Sequence, residues 1–191
     1  MSKQPKCAHC REPFTRTRPF QNWCSPECGV ALARKKQAQE RKSLEQLERK
    51  ELQVRKKALK RRNDYMREAQ QAFNAYIRER DRIAGHPCIS SGRPLDWSGN
   101  NVDAGHYRSV GAAPHLRFDE RNCHAQRKLD NRYLSGNAVD YRVGLIARIG
   151  LAAVEELEAD QSVRKYTIED LKAIKAHYRA KVRELKKESA A

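Results

Sequence analysis

From Met66 onward the apolar residues fall into a helical rhythm. Ala69, Phe73, Tyr76, Ile77 and Ile83 recur at helical spacing, which predicts a helix with something to pack against. Gly85-His86-Pro87 ends it. Upstream, residues 30–83 contain neither Gly nor Pro, so nothing punctuates one long helix. Between Arg34 and Arg62, however, apolar residues are sparse and hold no sustained heptad, which predicts a solvated arm. Acid–base pairs such as Glu45–Arg49 and Glu51–Arg55 support it at i,i+4 spacing.

Residues 88–135 are dense in Gly, Pro, Asn and Asp and read as loops with short strands, Val102 to Tyr107 and Leu116 to His124. Arg127 to Leu134 opens a short helix. Asn137 to Ile149 reads as a helix through Val139, Val143, Ile146 and Ile149, with Gly150 as its C-cap. Ala152 to Glu158 forms another. Thr167-Ile168-Glu169-Asp170 is a capping box with Asp in place of Glu, and Leu171, Ile174, Tyr178, Val182 and Leu185 follow as one face. The expected architecture is a mostly α, α+β protein in four parts: an N-terminal module over 1–29, a helical arm over 30–84, a core over 85–150 and a C-terminal helical region over 151–191.

Charge sharpens this picture. The chain has 191 residues and a formal charge of +16. The Arg34 to Arg62 stretch alone holds 13 basic and 4 acidic residues, more than solubility requires. An excess of that size favours a polyanionic partner, so the arm is read as lying along phosphates. No run approaches the ~20 apolar residues of a membrane span, and the first residues lack the apolar core of a signal peptide. The expectation is a cytoplasmic protein with no membrane partner.

Four of the six cysteines lie in the first 28 residues. Cys7-Ala-His-Cys10 and Cys24-Ser-Pro-Glu-Cys28 are two close pairs that can surround one Zn²⁺ as a tetrahedron, which leaves no open catalytic position. A redox CxxC is the competing reading, but one pair would suffice for it. His9 is read as a bystander.

The chemistry concentrates between Asp103 and Asn131, where three of the six histidines, His106, His115 and His124, fall. His106 lies on the first candidate strand, Asn122 on the second, and Asn131 near the candidate short helix. A histidine titrating near neutrality can deprotonate water, an asparagine can orient it, and an oxygen ligand can hold Mg²⁺ against a phosphate. Arg108, Arg117 and Arg121 are close in sequence and could grip phosphates. A lone loop histidine is as readily a structural hydrogen-bonder.

The segment DAGHYRSVGAAPHLRFDERNCHAQ, the following NRYLSGNAVDYR, the WCSPECG around the second cysteine pair, AFNAYIRERD and YTIEDLKAIKAHY together resemble the NinG/Rap family of lambdoid bacteriophage recombination endonucleases. The resemblance spans essentially the full chain. It implies an HNH-like, ββα-metal nuclease that cleaves branched DNA such as Holliday junctions and D-loops in the bacterial host cell. By position, His106 matches the general base, Asn122 the central asparagine and Asn131 the helix ligand of a catalytic Mg²⁺ or Mn²⁺. HNH enzymes often carry an acid just before the base, but Gly105 stands there, so Asp103 is taken as its substitute. His124 is the remaining metal candidate, and His115 is left as structural or phosphate-binding. The family commonly has two further CxxC pairs, whose positions here read Cys88, Ser91, Arg127 and Asp130. A second zinc is therefore not expected, and polar contacts involving Arg127 and Asp130 are expected to replace it. Paired nicks across a junction would need a homodimer. Phage or host recombination proteins are further expected partners. Two other readings stand beside the enzyme: a non-catalytic zinc-containing nucleic-acid-binding protein, and an adaptor that docks a recombination protein.

Overall fold

The computed structural model describes residues 4–189 and is a mostly helical α+β fold with one two-stranded sheet. The chain divides into two compact units, Met1–Leu59 and Lys60–Ala191.

In the first unit, a turn bridges Lys6 and Pro13, and Cys7, Phe14 and Gln21 are buried beneath it. Helix α1 (Pro26–Ala58) begins inside this module. Ser25 caps it, accepting a hydrogen bond from the Cys28 N–H at 3.4 Å, and Pro26 occupies the first turn. α1 buries no residue. Its exposed pairs Lys36–Glu40, Arg41–Glu45 and Arg55–Glu51 contribute only about 0.3–0.5 kcal/mol each.

The single long helix expected over 30–83 is two helices. α1 stops at Ala58, and α2 (Arg62–Ile83) starts after an extended Arg61. No breaker residue marks the site. Instead the Asp64 carboxylate reaches back to the Arg61 N–H at 2.9 Å, satisfying a first-turn donor. Glu68, paired with Lys60 and with Lys175, fixes the new start.

The second unit is built around the hairpin of β1 (Val102–His106) and β2 (Cys123–Arg127), antiparallel with Val102 opposite Arg127 and His106 opposite Cys123. The second strand lies later than the expected Leu116 to His124. Pro114 has no N–H to give a ladder, and the Asp119 carboxylate takes the Arg121 N–H at 2.8 Å, so Pro114–Leu116 and Glu120–Asn122 close as 3₁₀ turns. Four helices complete the unit: α3 (Lys128–Tyr133), α4 (Ala138–Ile149), α5 (Leu151–Ala159) and α6 (Ile168–Glu188).

One face of the hairpin packs on α2 and α6. Ala104 and Cys123 join Phe73, Tyr76, Ile77 and Tyr178, with Ile174, Val182 and Leu185 alongside. The Thr167 box starts α6 as the pattern requires, with Thr167 Oγ1 accepting from Asp170 N at 3.1 Å and Asp170 accepting from Thr167 N at 2.8 Å. The other face meets α3 and α4, and Tyr141, Leu145, Val154 and Leu157 form a second core with Ile89 and Leu116. Here α4 departs from its expected stripe. Val139 and Val143 are exposed, while Tyr141 and Leu145 are buried. The Tyr141 hydroxyl donates to the Gly105 carbonyl at 2.8 Å. Gly144 lets the helix close on the Ile89 carbonyl, which would lie 1.9 Å from an added Cβ. Among the described residues no helix is long and apolar enough to cross a membrane.

The outer edge of β2 is closed by Asp81 of α2, which is fully buried. Its carboxylate accepts from Ala125 N and from Arg80 Nε, both at 2.7 Å, and lies 3.6 Å from the Arg148 guanidinium of α4. Asp81→Ala leaves two guanidinium groups and a strand N–H without their anion. It should lower unfolding free energy by about 3–5 kcal/mol, read as a reduced urea midpoint.

Candidate functional site

The four N-terminal sulfurs all lie within 4.8 Å of one another, with Cys10–Cys24 at 3.5 Å and Cys24–Cys28 at 3.6 Å. Four thiolates at ~2.3 Å from one Zn²⁺ require sulfur–sulfur spacings of about 3.8 Å, so the cluster fits the ion. Charge argues likewise. Burial raises the Cys7 pKa, but backbone N–H groups of Cys10, His9 and Cys24 outweigh it and lower it to about 6. The neighbouring thiols of Cys10 and Cys28 push Cys24 up to about 12. A shared cation removes that conflict. His9 is exposed and outside the cluster.

In the second unit His106 closes β1. Its Nε2 lies 3.0 Å from the Arg117 carbonyl, which can only accept, so Nε2 carries the proton and Nδ1 is the basic nitrogen. Nδ1 sits 3.7 Å from the Cys123 thiol, and the ring leans on Phe73. Burial lowers the His106 pKa below 6.5, so the ring is neutral at neutral pH. Burial raises the Cys123 pKa, which keeps it a thiol.

Asn122 does not orient His106. It is fully buried and staples the loop between the strands, accepting from Arg108 N at 2.8 Å and donating to the carbonyls of Arg108 at 3.0 Å and Leu116 at 3.3 Å. The loop it fixes carries Arg117, so its effect on His106 passes through the backbone.

Asp103 and Asn131 are brought together. Asn131 Nδ2 donates to Asp103 Oδ2 at 3.0 Å, and Arg132 Nε donates to the same oxygen at 2.8 Å. Burial raises the Asp103 pKa, but these partners outweigh it and hold the carboxyl below its usual range. A carboxylate and an amide oxygen are the donor types Mg²⁺ and Mn²⁺ take. Strand alternation places this pair on the opposite face of β1 from His106.

His124 is corrected as a metal candidate. Its Nε2 faces the Arg121 carbonyl at 3.1 Å, and its Nδ1 faces the Arg80 guanidinium at 3.0 Å and that of Arg148 at 3.4 Å. Burial and the Arg80 charge lower its pKa to about 3. Two guanidinium groups repel a dication, so His124 belongs with Asp81, 3.8 Å away, in the structural network.

Two of the three expected phosphate-gripping arginines are also spent on structure. Arg108 donates to the carbonyls of Leu157, Glu158 and Asp160, capping the C-terminus of α5. Arg121 is paired with Asp119 and Glu156. Arg117 is bonded to Gln70 at 3.1 Å and lines a cavity of about 360 Å³ with Asn63, Arg67 and Asn74. His115 is structural, 3.0 Å from the Asp160 carbonyl.

The residues at the missing knuckle do converge. Buried Asp130 accepts from Ser91 at 2.8 Å, Cys88 at 3.2 Å and Ser90 at 3.5 Å, and Arg127 N donates to Cys88 Sγ at 3.3 Å. The contribution of Arg127 is its backbone N–H, not an ion pair. Ser90 was not anticipated.

A family model described as Bacteriophage Lambda NinG protein matches residues 1–188. The chain belongs to the NinG family. It is 46% identical over 194 residues to protein ninG of Salmonella phage P22, covering 95% of this chain and 92% of that one. It is also 46% identical over 190 residues to protein ninG of Escherichia phage lambda, covering 93% and 90%. No solved structure matches the chain.

Gly105 in this NinG-family chain has a steric cause. A Cβ there would lie 2.1 Å from Oε1 of Gln126, the residue across the strand pair from Asp103. Gln126 is fully buried and pinned through Nε2 to Ser90 Oγ at 3.0 Å and to the Gly136 carbonyl at 2.7 Å, and its Oε1 has no hydrogen-bond donor. The oxygen therefore packs against the glycine Cα. Gly105→Ala should destabilise by about 1–3 kcal/mol, and adding Gln126→Ala should recover part of that loss in a double-mutant cycle measured by denaturation. For the cysteine module, elemental analysis should find one zinc per chain in the wild type and much less than one in Cys24→Ser.

Proposed function

We propose that this chain is a metal-dependent DNA endonuclease of the HNH type that cleaves branched recombination intermediates such as Holliday junctions and D-loops. The observation that carries it is the β1–β2–α3 unit. Its first strand ends on a neutral histidine with one basic nitrogen, and three residues earlier the same strand holds Asp103 against Asn131 of the helix. No strand pairs with the outer edge of β1 among the described residues. A DNA backbone laid along that edge can meet His106 from one face and the Asp103–Asn131 pair from the other.

In this reading His106 Nδ1 takes the proton of the attacking water while the Arg117 carbonyl holds the tautomer. Asn122 keeps that carbonyl in place. Asp103, now balanced by Arg132, and Asn131 would hold Mg²⁺ or Mn²⁺, which would supply charge neutralisation at the phosphate. Arg117 meets a flanking phosphate. The basic α1 adds sequence-independent affinity that weakens with salt. Paired cuts at a junction would use two copies of the chain.

A second reading, a non-catalytic DNA-binding protein, is favoured by the enclosure of His106 between the Arg117 carbonyl and the Cys123 thiol. A synthetic four-way junction, with magnesium added or withheld, separates them. Cleavage should require magnesium and fall about 10²–10⁴-fold in His106→Ala with junction binding retained. The rate should hold at neutral pH and decline only below pH ~6.5, because the base works when unprotonated and its pKa is depressed. Binding without any magnesium-dependent cleavage by the wild type would leave only the second reading.

A further inference from the structure

At the open end of the hairpin lies a cavity of about 490 Å³ lined by Arg93, Arg127, Lys128, Asp96, Pro94 and Leu129. We propose that it is a phosphate-binding pocket that seats a backbone phosphodiester of DNA beside the Asp103–Asn131 pair. For the source of the phosphate this rests on the DNA reading above, but it does not depend on cleavage.

The argument starts from unspent charge. Most guanidinium groups around the hairpin are committed: Arg80 and Arg148 to Asp81, Arg108 to the end of α5, Arg121 to Asp119 and Arg132 to Asp103. Those of Arg93 and Arg127 have no hydrogen-bond or ion-pair partner among the described residues, although both border the same cavity. Lys128 spends one donor on the Asn100 carbonyl at 2.9 Å and keeps two. The acid on the wall does not neutralise them. Asp96 already accepts from Ser98 N at 2.9 Å, from Ser98 Oγ at 2.6 Å and from Asn101 Nδ2 at 2.6 Å. Arg127 also acts at a distance on the buried Asp130 and Lys128 on Asp103, but neither is ion-paired there, and three cations facing Asp96 leave a net positive hollow. Two planar forks suit the oxygens of a tetrahedral anion.

Position gives the pocket its use. Arg127 and Lys128 open α3, while Asn131 and Arg132 follow four residues on, one helical turn or about 5.4 Å away. A strand anchored at this pocket is held next to the carboxylate–amide pair, and the anchor is independent of base identity, as branch-directed binding requires.

The test compares the full-length wild type with Arg93→Gln/Arg127→Gln and with the milder Lys128→Gln, after confirming that thermal melting is unchanged. Binding to a four-way junction is followed by anisotropy across a salt series without added magnesium. In parallel, inorganic phosphate is titrated against the labelled protein and the resonances of Arg93 and Arg127 are followed. The double variant should reduce the log–log salt slope by about one and weaken low-salt binding about tenfold, with Lys128→Gln intermediate. An unchanged slope together with phosphate-dependent shifts of those arginines would assign the pocket to free phosphate. If neither arm responds to the substitutions while the wild type still binds DNA, the pocket is refuted and the nuclease reading stands. If the wild type binds no DNA, that reading falls, and the phosphate arm alone decides the pocket.

Discussion

The second unit depends on one buried carboxylate. Asp81 sits without solvent between α2, the outer edge of β2 and α4, and it is the only anion that Arg80, Arg148 and the Ala125 N–H share. Burial alone would raise its pKa, yet the Arg80 guanidinium keeps it charged. A two-stranded sheet has two free edges and is marginal by itself. Here one edge is closed by the Asp81 side chain and by the Ile89 N–H, which donates to the Ala125 carbonyl at 3.1 Å, and the strand is thereby fixed against the helix that carries Phe73, on which His106 rests. The candidate catalytic geometry therefore inherits its precision from a charge network on the far side of the hairpin.

That network also sorts the histidines. His106 and His124 lie on adjacent strands and are both depressed in pKa by burial, but their neighbours differ. His106 meets a carbonyl, a thiol and an aromatic ring, all uncharged. His124 meets two guanidinium groups. Arg117 also opposes protonation of His106, but only His124 has guanidinium groups against its ring nitrogen, and only His106 ends a strand whose outer edge pairs with no other strand among the described residues.

Much of the fold was legible because local signals agreed with long-range packing. The cysteine spacing, the Thr167 box with its following stripe, and the apolar face of α2 each point to the partner they have in the structure. What was not legible depended on contacts distant in sequence. The break at residues 59–61 is set by Asp64 and by Glu68 reaching Lys175, not by a breaker residue. The buried face of α4 is chosen by Gly105 and Ile89, which lie far upstream, so the Val139–Val143 stripe misleads. Within the site, His106, Asp103 and Asn131 could be picked out, and strand alternation alone sets Asp103 and His106 on opposite faces of β1. Asn122 precedes β2 and acts on the loop, which the apolar pattern from Leu116 to His124 does not show. The structural duties of Arg108 and Arg121 were hidden for the same reason, since α5 lies tens of residues away.

The hydrogen-bonded cluster around Asp130 has a further consequence. Ser90, Ser91 and Cys88 tie the loop before β1 to α3 through hydrogen bonds to the Asp130 carboxylate, and only one of the donors is a thiol. A chelator that strips an ion from the four-cysteine cluster would then unfold the N-terminal module and leave the hairpin unit folded. Oxidants would find four clustered sulfurs near the N-terminus and two separate, buried thiols, Cys88 and Cys123, in the hairpin unit. Folding of the cysteine module would then answer to metal and oxidants, and folding of the hairpin unit would rest on hydrogen bonds and packing.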